Sequence, residues 1–256
     1  MGGSARTSDA APATLNTHHV IKVIALVIMT IDHIGAFLYP DNLWWRAIGR
    51  ITFPVWFFLV GHALTYRVHR ETLLWALVLG VTSPFLGQGV FPLNALVTIM
   101  ICQLLLARIE HRDWLTHYPW TVLAGSALLV FPSFFLMEYG ALGFLYALMG
   151  YIVRSGRIRT PVGVVVTLAA LLAYLAMMLA LFAFDLPQQV FVIAGTCYVT
   201  WRLARFTHRP VAWPQGLASA TRLLSRYSLQ YYVLHRILLQ AIGVITGALS
   251  ATLRWF

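Results

Sequence analysis

Val20-Ile-Lys-Val-Ile-Ala-Leu-Val-Ile-Met-Thr-Ile-Asp-His-Ile-Gly35 decides how the chain is read. The run has the length and apolarity of a membrane span, yet it carries an acid and a base side by side, Asp32 and His33. An ionisable side chain at bilayer depth costs on the order of 2.5–3.5 kcal/mol on insertion scales. Two such groups in adjacent positions point to chemistry or proton handling, the alternative being a buried polar pair that fixes helix packing. Lys22, eleven positions before His33, marks one rim of the span. At 1.5 Å per residue, His33 then lies about 16 Å from that rim, at or past mid-membrane. Asp32 projects about 100° round the helix from His33, so it neighbours the imidazole without necessarily bonding it.

The surrounding composition fits the same solvent. Of 256 residues, 60% are hydrophobic and 10% are charged, against about a quarter charged in a soluble domain. Apolar runs recur along the whole chain. Segments of about 17–25 residues fall at 20–39, 50–66, 72–88, 92–107, 119–136, 139–153, 161–182, 187–203 and 227–250, the third and sixth being short. The fold class expected is therefore all-α, a polytopic transmembrane helical bundle of about nine spans. Residues 1–19 read as a flexible cytoplasmic tail and 20–256 as one transmembrane domain. With the N-terminus in the cytoplasm, the basic residues gather in the inner loops, while Asp41, Arg46, Glu138 and Asp185 fall in outer ones. That asymmetry obeys the positive-inside rule and leaves the C-terminus periplasmic. The net charge of +10 is then explained by anionic lipid and a cytosolic anion. Nucleic acid is not expected as a partner, because basic residues interleaved with aromatics on a soluble face are missing. Cys102 and Cys197 sit inside apolar runs, which suggests neither a disulfide framework nor a zinc site.

Further polar residues interrupt the apolar runs. Ser228, Tyr231 or Tyr232, and His235 follow helical spacing in the last span and share a face; interhelical hydrogen bonding and a site wall account for them equally well. Asn94 and Thr98 lie one turn apart in the fourth span, a spacing that also suits packing. Glu138 precedes the sixth span, where a carboxylate is favoured by the helix dipole. Gly140, Gly143, Ala147 and Gly150 form a small-residue face suited to close helix packing. Arg50 is placed to snorkel to the outer interface, and His62 reads as packing.

Five blocks occur in order: Asp32-His-Ile-Gly35, Gly49-Arg-Ile-Thr-Phe-Pro54, Asn94-Ala-Leu-Val-Thr98, Glu138-Tyr-Gly-Ala-Leu-Gly143 and Tyr227-Ser-Leu…Tyr232-Val-Leu-His235. In this the chain resembles the TraX family, whose named member acetylates the N-terminus of conjugative F-pilin. The family looks like a branch of the membrane acyltransferases, among them bacterial glycan O-acetyltransferases and lysosomal heparan-α-glucosaminide N-acetyltransferase. Two motifs of the O-acetyltransferases also occur: a basic residue ten intervening positions before a His (Lys22 to His33), and Arg-x-x-Arg (Arg67-Val-His-Arg70).

The resemblance implies an enzyme of the bacterial inner membrane, multi-pass, with acetyl-CoA as acetyl donor, no metal, and a membrane-inserted pilin subunit as partner. It implies His33 as the catalytic base with Asp32 beside it. Asp32 is expected to orient the ring and stabilise imidazolium, as a carboxylate does in hydrolytic triads. Lys22, Arg67 and Arg70 are expected to engage coenzyme A. Arg50, Asn94, Glu138, Ser228, Tyr232 and His235 are expected around the acceptor or the oxyanion. An envelope glycan or lipid hydroxyl would suit the same chemistry. From other classes, a proton-coupled transporter would use Asp32 and His33 as a relay, and a catalytically silent scaffold would use only the glycine face.

Overall fold

The first helix is set by its own N-terminus. Asn16 accepts a hydrogen bond from the His19 amide at 3.1 Å, and His19 Nδ1 accepts one back from the Asn16 amide at 3.4 Å. This reciprocal cap satisfies two N–H groups that an apolar environment would otherwise leave unpaired. The computed structural model describes residues 15–248; most of the tail expected at 1–19 and the end of the last expected span lie outside them.

Twelve helices follow in order: α1 Thr17–Leu38, α2 Leu43–Arg50, α3 Phe53–Gly61, α4 Arg70–Phe85, α5 Ala95–Arg112, α6 Trp114–His117, α7 Pro119–Leu136, α8 Gly140–Arg154, α9 Pro161–Leu181, α10 Leu186–Ala204, α11 Gln215–Arg226 and α12 Ser228–Ile245. Among the described residues the only strand-like pairings are two isolated bridges, Asn16 with Pro210 and Leu93 with Met137. The described residues are all-helical.

Three helices, α1, α7 and α9, are long and apolar enough to cross a membrane. Their outward faces are apolar: Leu128 is 79% exposed and Phe131 72%. Apolar surface of this kind, repeated over several helices, marks a membrane protein rather than a soluble one.

Several boundaries differ from the sequence expectation. Helix α1 begins at Thr17, inside the stretch read as tail. The span expected at 50–66 is the shorter helix α3, which ends at Gly61, and the stretch before it, read as an outer loop, forms α2 and meets α3 in a turn at Ile51 and Thr52. Pro54 in the first turn of α3 has no N–H to donate, which suits a helix start and not a helix interior. The break lets α2 turn a polar face, Arg46 and Arg50, inward.

Helix α8 is the strut of the bundle, with Leu142 to Ile152 buried without interruption. Its small-residue face receives α3: the Phe57 ring lies against Gly143, and the Phe58 carbonyl lies where a Cβ on Gly150 would fall. Backbones can approach this closely only where no side chain intervenes. Replacing Gly150 by Ala should therefore cost about 1–3 kcal/mol, the usual range for overpacking. A lowered thermal midpoint of the purified protein in detergent would report it, and an unchanged midpoint would contradict the packing described.

Candidate functional site

Gly49 brings α2 hard against α1, since a Cβ there would fall on Asp32. That approach decides which group Asp32 meets. Arg46 Nη1 lies 2.9 Å from Asp32 Oδ2 and also donates to the Asp32 carbonyl at 3.0 Å. Arg50 Nε lies 3.5 Å from Oδ1, a looser contact. Arg50 Nη1 donates to the Tyr139 hydroxyl at 2.9 Å, and the Tyr174 hydroxyl donates to the Arg50 carbonyl at 2.5 Å. The Phe182 ring lies 5.4 Å from the Arg46 guanidinium carbon and 5.1 Å from that of Arg50, within cation–π range. Arg50 therefore does not snorkel; it is buried with Arg46 in an ion cluster around Asp32. Tyr139 adopts φ of +69°, a strained conformation for a residue other than glycine, just before α8 and with its hydroxyl on Arg50.

Asp32 thus does not orient His33, which corrects the sequence expectation. The partner of His33 is His235 on α12, with Nδ1 and Nε2 2.7 Å apart. His235 Nδ1 lies 2.7 Å from the Tyr231 carbonyl. A carbonyl can only accept, so His235 Nδ1 carries a proton. In the neutral ring Nε2 is then an acceptor, and His33 must donate from its own Nδ1. The row leaves the lone pair of His33 on Nε2, where a base needs it. The Tyr231 side chain ties the row to α1. The Thr30 hydroxyl donates to the Leu26 carbonyl at 2.9 Å and accepts from the Tyr231 hydroxyl at 2.8 Å.

A second ion pair stands close by. Glu138 takes Arg236 in a fork, Oε1 to Nη2 at 2.6 Å and Oε2 to Nη1 at 3.2 Å. Arg236 also donates to the Tyr232 hydroxyl at 2.9 Å and to Gln88 Oε1 at 3.3 Å. The Ala95 amide donates to Glu138 Oε2 at 3.1 Å. Glu138 therefore serves the N-terminus of α5 and not that of α8, although the dipole argument that singled it out still applies. Asn94 caps the same helix by accepting from the Leu96 amide at 3.2 Å. Its Nδ2 donates to the Ala76 carbonyl at 3.0 Å, tying α5 to α4.

Two cavities meet at these residues. The larger, about 350 Å³, extends toward the N-terminal end of α1 and is lined by His18, Lys22, Trp56, Gln103, Ser228 and Tyr232. The smaller, about 140 Å³, extends toward the C-terminal end of α1, past Phe37, Arg46, Ser83, Gln88, Phe182 and Arg236. Asp32, His33, Arg50, Glu138 and Tyr139 line both. They are called here the N-side and C-side chambers.

Of the residues singled out in the sequence, the fold brings together Lys22, Asp32, His33, Arg50, Asn94, Glu138, Ser228, Tyr232 and His235. Arg67 and Arg70 line neither chamber and are exposed. Thr72, two residues after Arg70, does line the N-side chamber. His62 packs with Phe206 and His208, ring centroids 5.0 Å away in both cases. Sequence reasoning missed Arg46, Tyr139 and Arg236. Arg236 follows His235 inside an apolar run, so the cost argument applied to Asp32 would have found it. Arg46 and Arg50 show a four-residue spacing that puts both on one helix face. Among the described residues, no three His, Cys, Asp or Glu gather as a metal site.

An all-helical bundle with apolar outer faces and a charged, buried centre defines a membrane protein. A family model described as TraX protein matches residues 17–242, and the chain belongs to that family. An uncharacterized protein of Rickettsia prowazekii (strain Madrid E) is 27% identical over 142 residues, covering 54% of this chain and 56% of that relative. The chain thus spans little more than half of that relative's length. No solved structure matches.

Because Asp32 is buried between Arg46 and Arg50, removing its charge strands two buried cations. Asp32→Asn should destabilise the protein by about 3–5 kcal/mol. The pair Asp32→Asn with Arg46→Gln should recover much of that loss. Chemical denaturation in detergent measures both, and equal stability of the single and double variants would refute the pairing.

Proposed function

We propose that the protein is an inner-membrane acetyltransferase of about nine crossings, N-terminus cytoplasmic and C-terminus periplasmic. It moves an acetyl group from cytosolic acetyl-CoA to an acceptor facing the periplasm. The observation that carries this reading is the meeting of the N-side and C-side chambers at His33. A thioester from one side and an acceptor from the other would arrive at the same imidazole. The family supports the N-terminal amine of a membrane-inserted pilin subunit as that acceptor. A glycan or lipid hydroxyl of the envelope would use the same site.

The N-side chamber is large enough for a small-molecule ligand, for which about 300 Å³ is a lower bound. The pantetheine arm would occupy it, Lys22 at its mouth, while the nucleotide phosphates stay outside. There the exposed Arg67 and Arg70 would meet them by charge-assisted contacts. Lys22→Gln should raise the KM for acetyl-CoA several-fold at little cost to kcat, read from initial rates over a range of acetyl-CoA; a fall in kcat alone would remove Lys22 from the donor site.

In the transfer, the acceptor nitrogen forms a bond to the thioester carbonyl carbon and His33 Nε2 takes the proton it loses. The oxyanion collapses, the C–S bond breaks, and the coenzyme A thiolate takes the proton from His33. Arg50 and the hydroxyls of Tyr139 and Tyr232 line the space where the oxyanion would form. His235 holds the tautomer that leaves Nε2 basic. An acetyl-His33 intermediate would use the same groups.

His33→Ala should lower acetyl transfer by about 10²–10⁴-fold, the worth of a positioned base. His235→Ala should cost about 10–100-fold, as loss of an orienting partner does, with the pH profile of kcat altered. The readout is the mass increase of one acetyl on the acceptor. Transfer at the wild-type rate by either variant would contradict the assignment. The His33–His235 pair would also suit a proton relay. Proton-dependent solute uptake by a protein that binds no acetyl-CoA would favour a transporter instead.

A further inference from the structure

The C-side chamber holds more positive than negative charge. Three guanidinium groups line it, those of Arg46, Arg50 and Arg236, against two carboxylates, Asp32 and Glu138. In their ordinary charge states one positive charge is left over. All three arginines are more than nine-tenths buried, where an uncompensated charge is costly to keep. The surplus falls on Arg50. Glu138 is committed to Arg236 in a fork, and Asp32 is held by Arg46 at 2.9 Å but reaches Arg50 only at 3.5 Å. Two guanidinium nitrogens, Nε of Arg50 and Nε of Arg236, are buried without a hydrogen-bond partner, as is Asp32 Oδ1, which lies 3.5 Å from Arg50 Nε. The rest of the wall is apolar, with Phe37, Phe91, Leu181 and Phe182. Its volume of about 140 Å³ suits a headgroup or a side chain rather than a whole ligand.

We propose that the C-side chamber binds an anionic oxyacid group, a carboxylate or a phosphate, on an apolar acceptor beside its reacting amine or hydroxyl. Describing the occupant as the acceptor rests on the acyl-transfer reading; the anion site itself does not. The acid group supplies the missing counter-charge, and the apolar part lies along the phenylalanines. The site then selects acceptors by charge before any transition state forms. A chamber whose surplus served only the transient oxyanion would show no such ground-state preference.

The test uses the full chain purified in an uncharged maltoside detergent, with hexanoate, hexyl phosphate and hexylammonium titrated calorimetrically in the absence of acetyl-CoA. One anion should bind per protein and hexylammonium should not, and the tighter of the two anions identifies the acid group. Gln88→Glu places a carboxylate where an amide oxygen already accepts from Arg236, cancelling the surplus. It should weaken the anion by about tenfold or more. Glu138→Gln enlarges the surplus and should tighten it. These opposite signs keep the test decisive if either variant fails to fold, and they separate the chamber from diffuse attraction to a basic protein. Equal affinity for hexanoate and hexylammonium, or anion binding indifferent to the variants, would overturn the proposal. Acetyl-CoA titrated into the same sample separates the two readings. Anion binding without acetyl-CoA binding would sink the acyl-transfer reading alone, and the reverse would sink the anion site alone.

Discussion

A charge inside an apolar bundle must find a partner, and that requirement holds this protein's centre together. Asp32 comes from α1, Arg46 and Arg50 from α2, Glu138 from the link before α8, and Arg236 from α12. None of these elements can withdraw without stranding a buried ion, at a cost larger than most single contacts contribute. The packing around them serves that end. Gly49 lets α2 close on Asp32, and the fully buried α8 begins at Tyr139, whose hydroxyl receives Arg50. The residues that define the site are also those that fix the helices about it.

Within this centre two kinds of polar contact stay separate. The arginines and carboxylates form charged pairs, and Asp32 belongs wholly to them. His33, His235, Tyr231 and Thr30 form a row of neutral hydrogen bonds anchored on backbone carbonyls. The ionic part sets a field that does not depend on proton transfer. A proton moving between the two imidazoles of that row would break no ion pair. A base held by a carboxylate would lose that independence, because each protonation would change the count of charges around it.

Much of the architecture was legible because apolar run length and helix caps are local properties. The α7 boundaries, the small-residue face of α8 and the polar pair inside α1 were all visible in the chain. Partner choice was not. Adjacent residues on a helix point about 100° apart, so Asp32 and His33 face different neighbours, and sequence adjacency suggested a bond that helix geometry does not favour. The early end of α3 at Gly61 was hidden because the apolar run goes on past it. Arg46 looked like a loop charge because its helix is short. Arg67 and Arg70 show the opposite case. Their spacing matched a motif, and the fold leaves them on the surface, outside both chambers.

The shared wall of the two chambers has a thermodynamic consequence. Five residues face both cavities, so an occupant of one that shifts Arg50 or Tyr139 alters the surface met by an occupant of the other. Ligands bound on the two sides would then be linked, and the linkage would be reciprocal: whatever factor the first imposed on the second, the second would impose on the first. Occupancy of one chamber would be felt in the other through that wall.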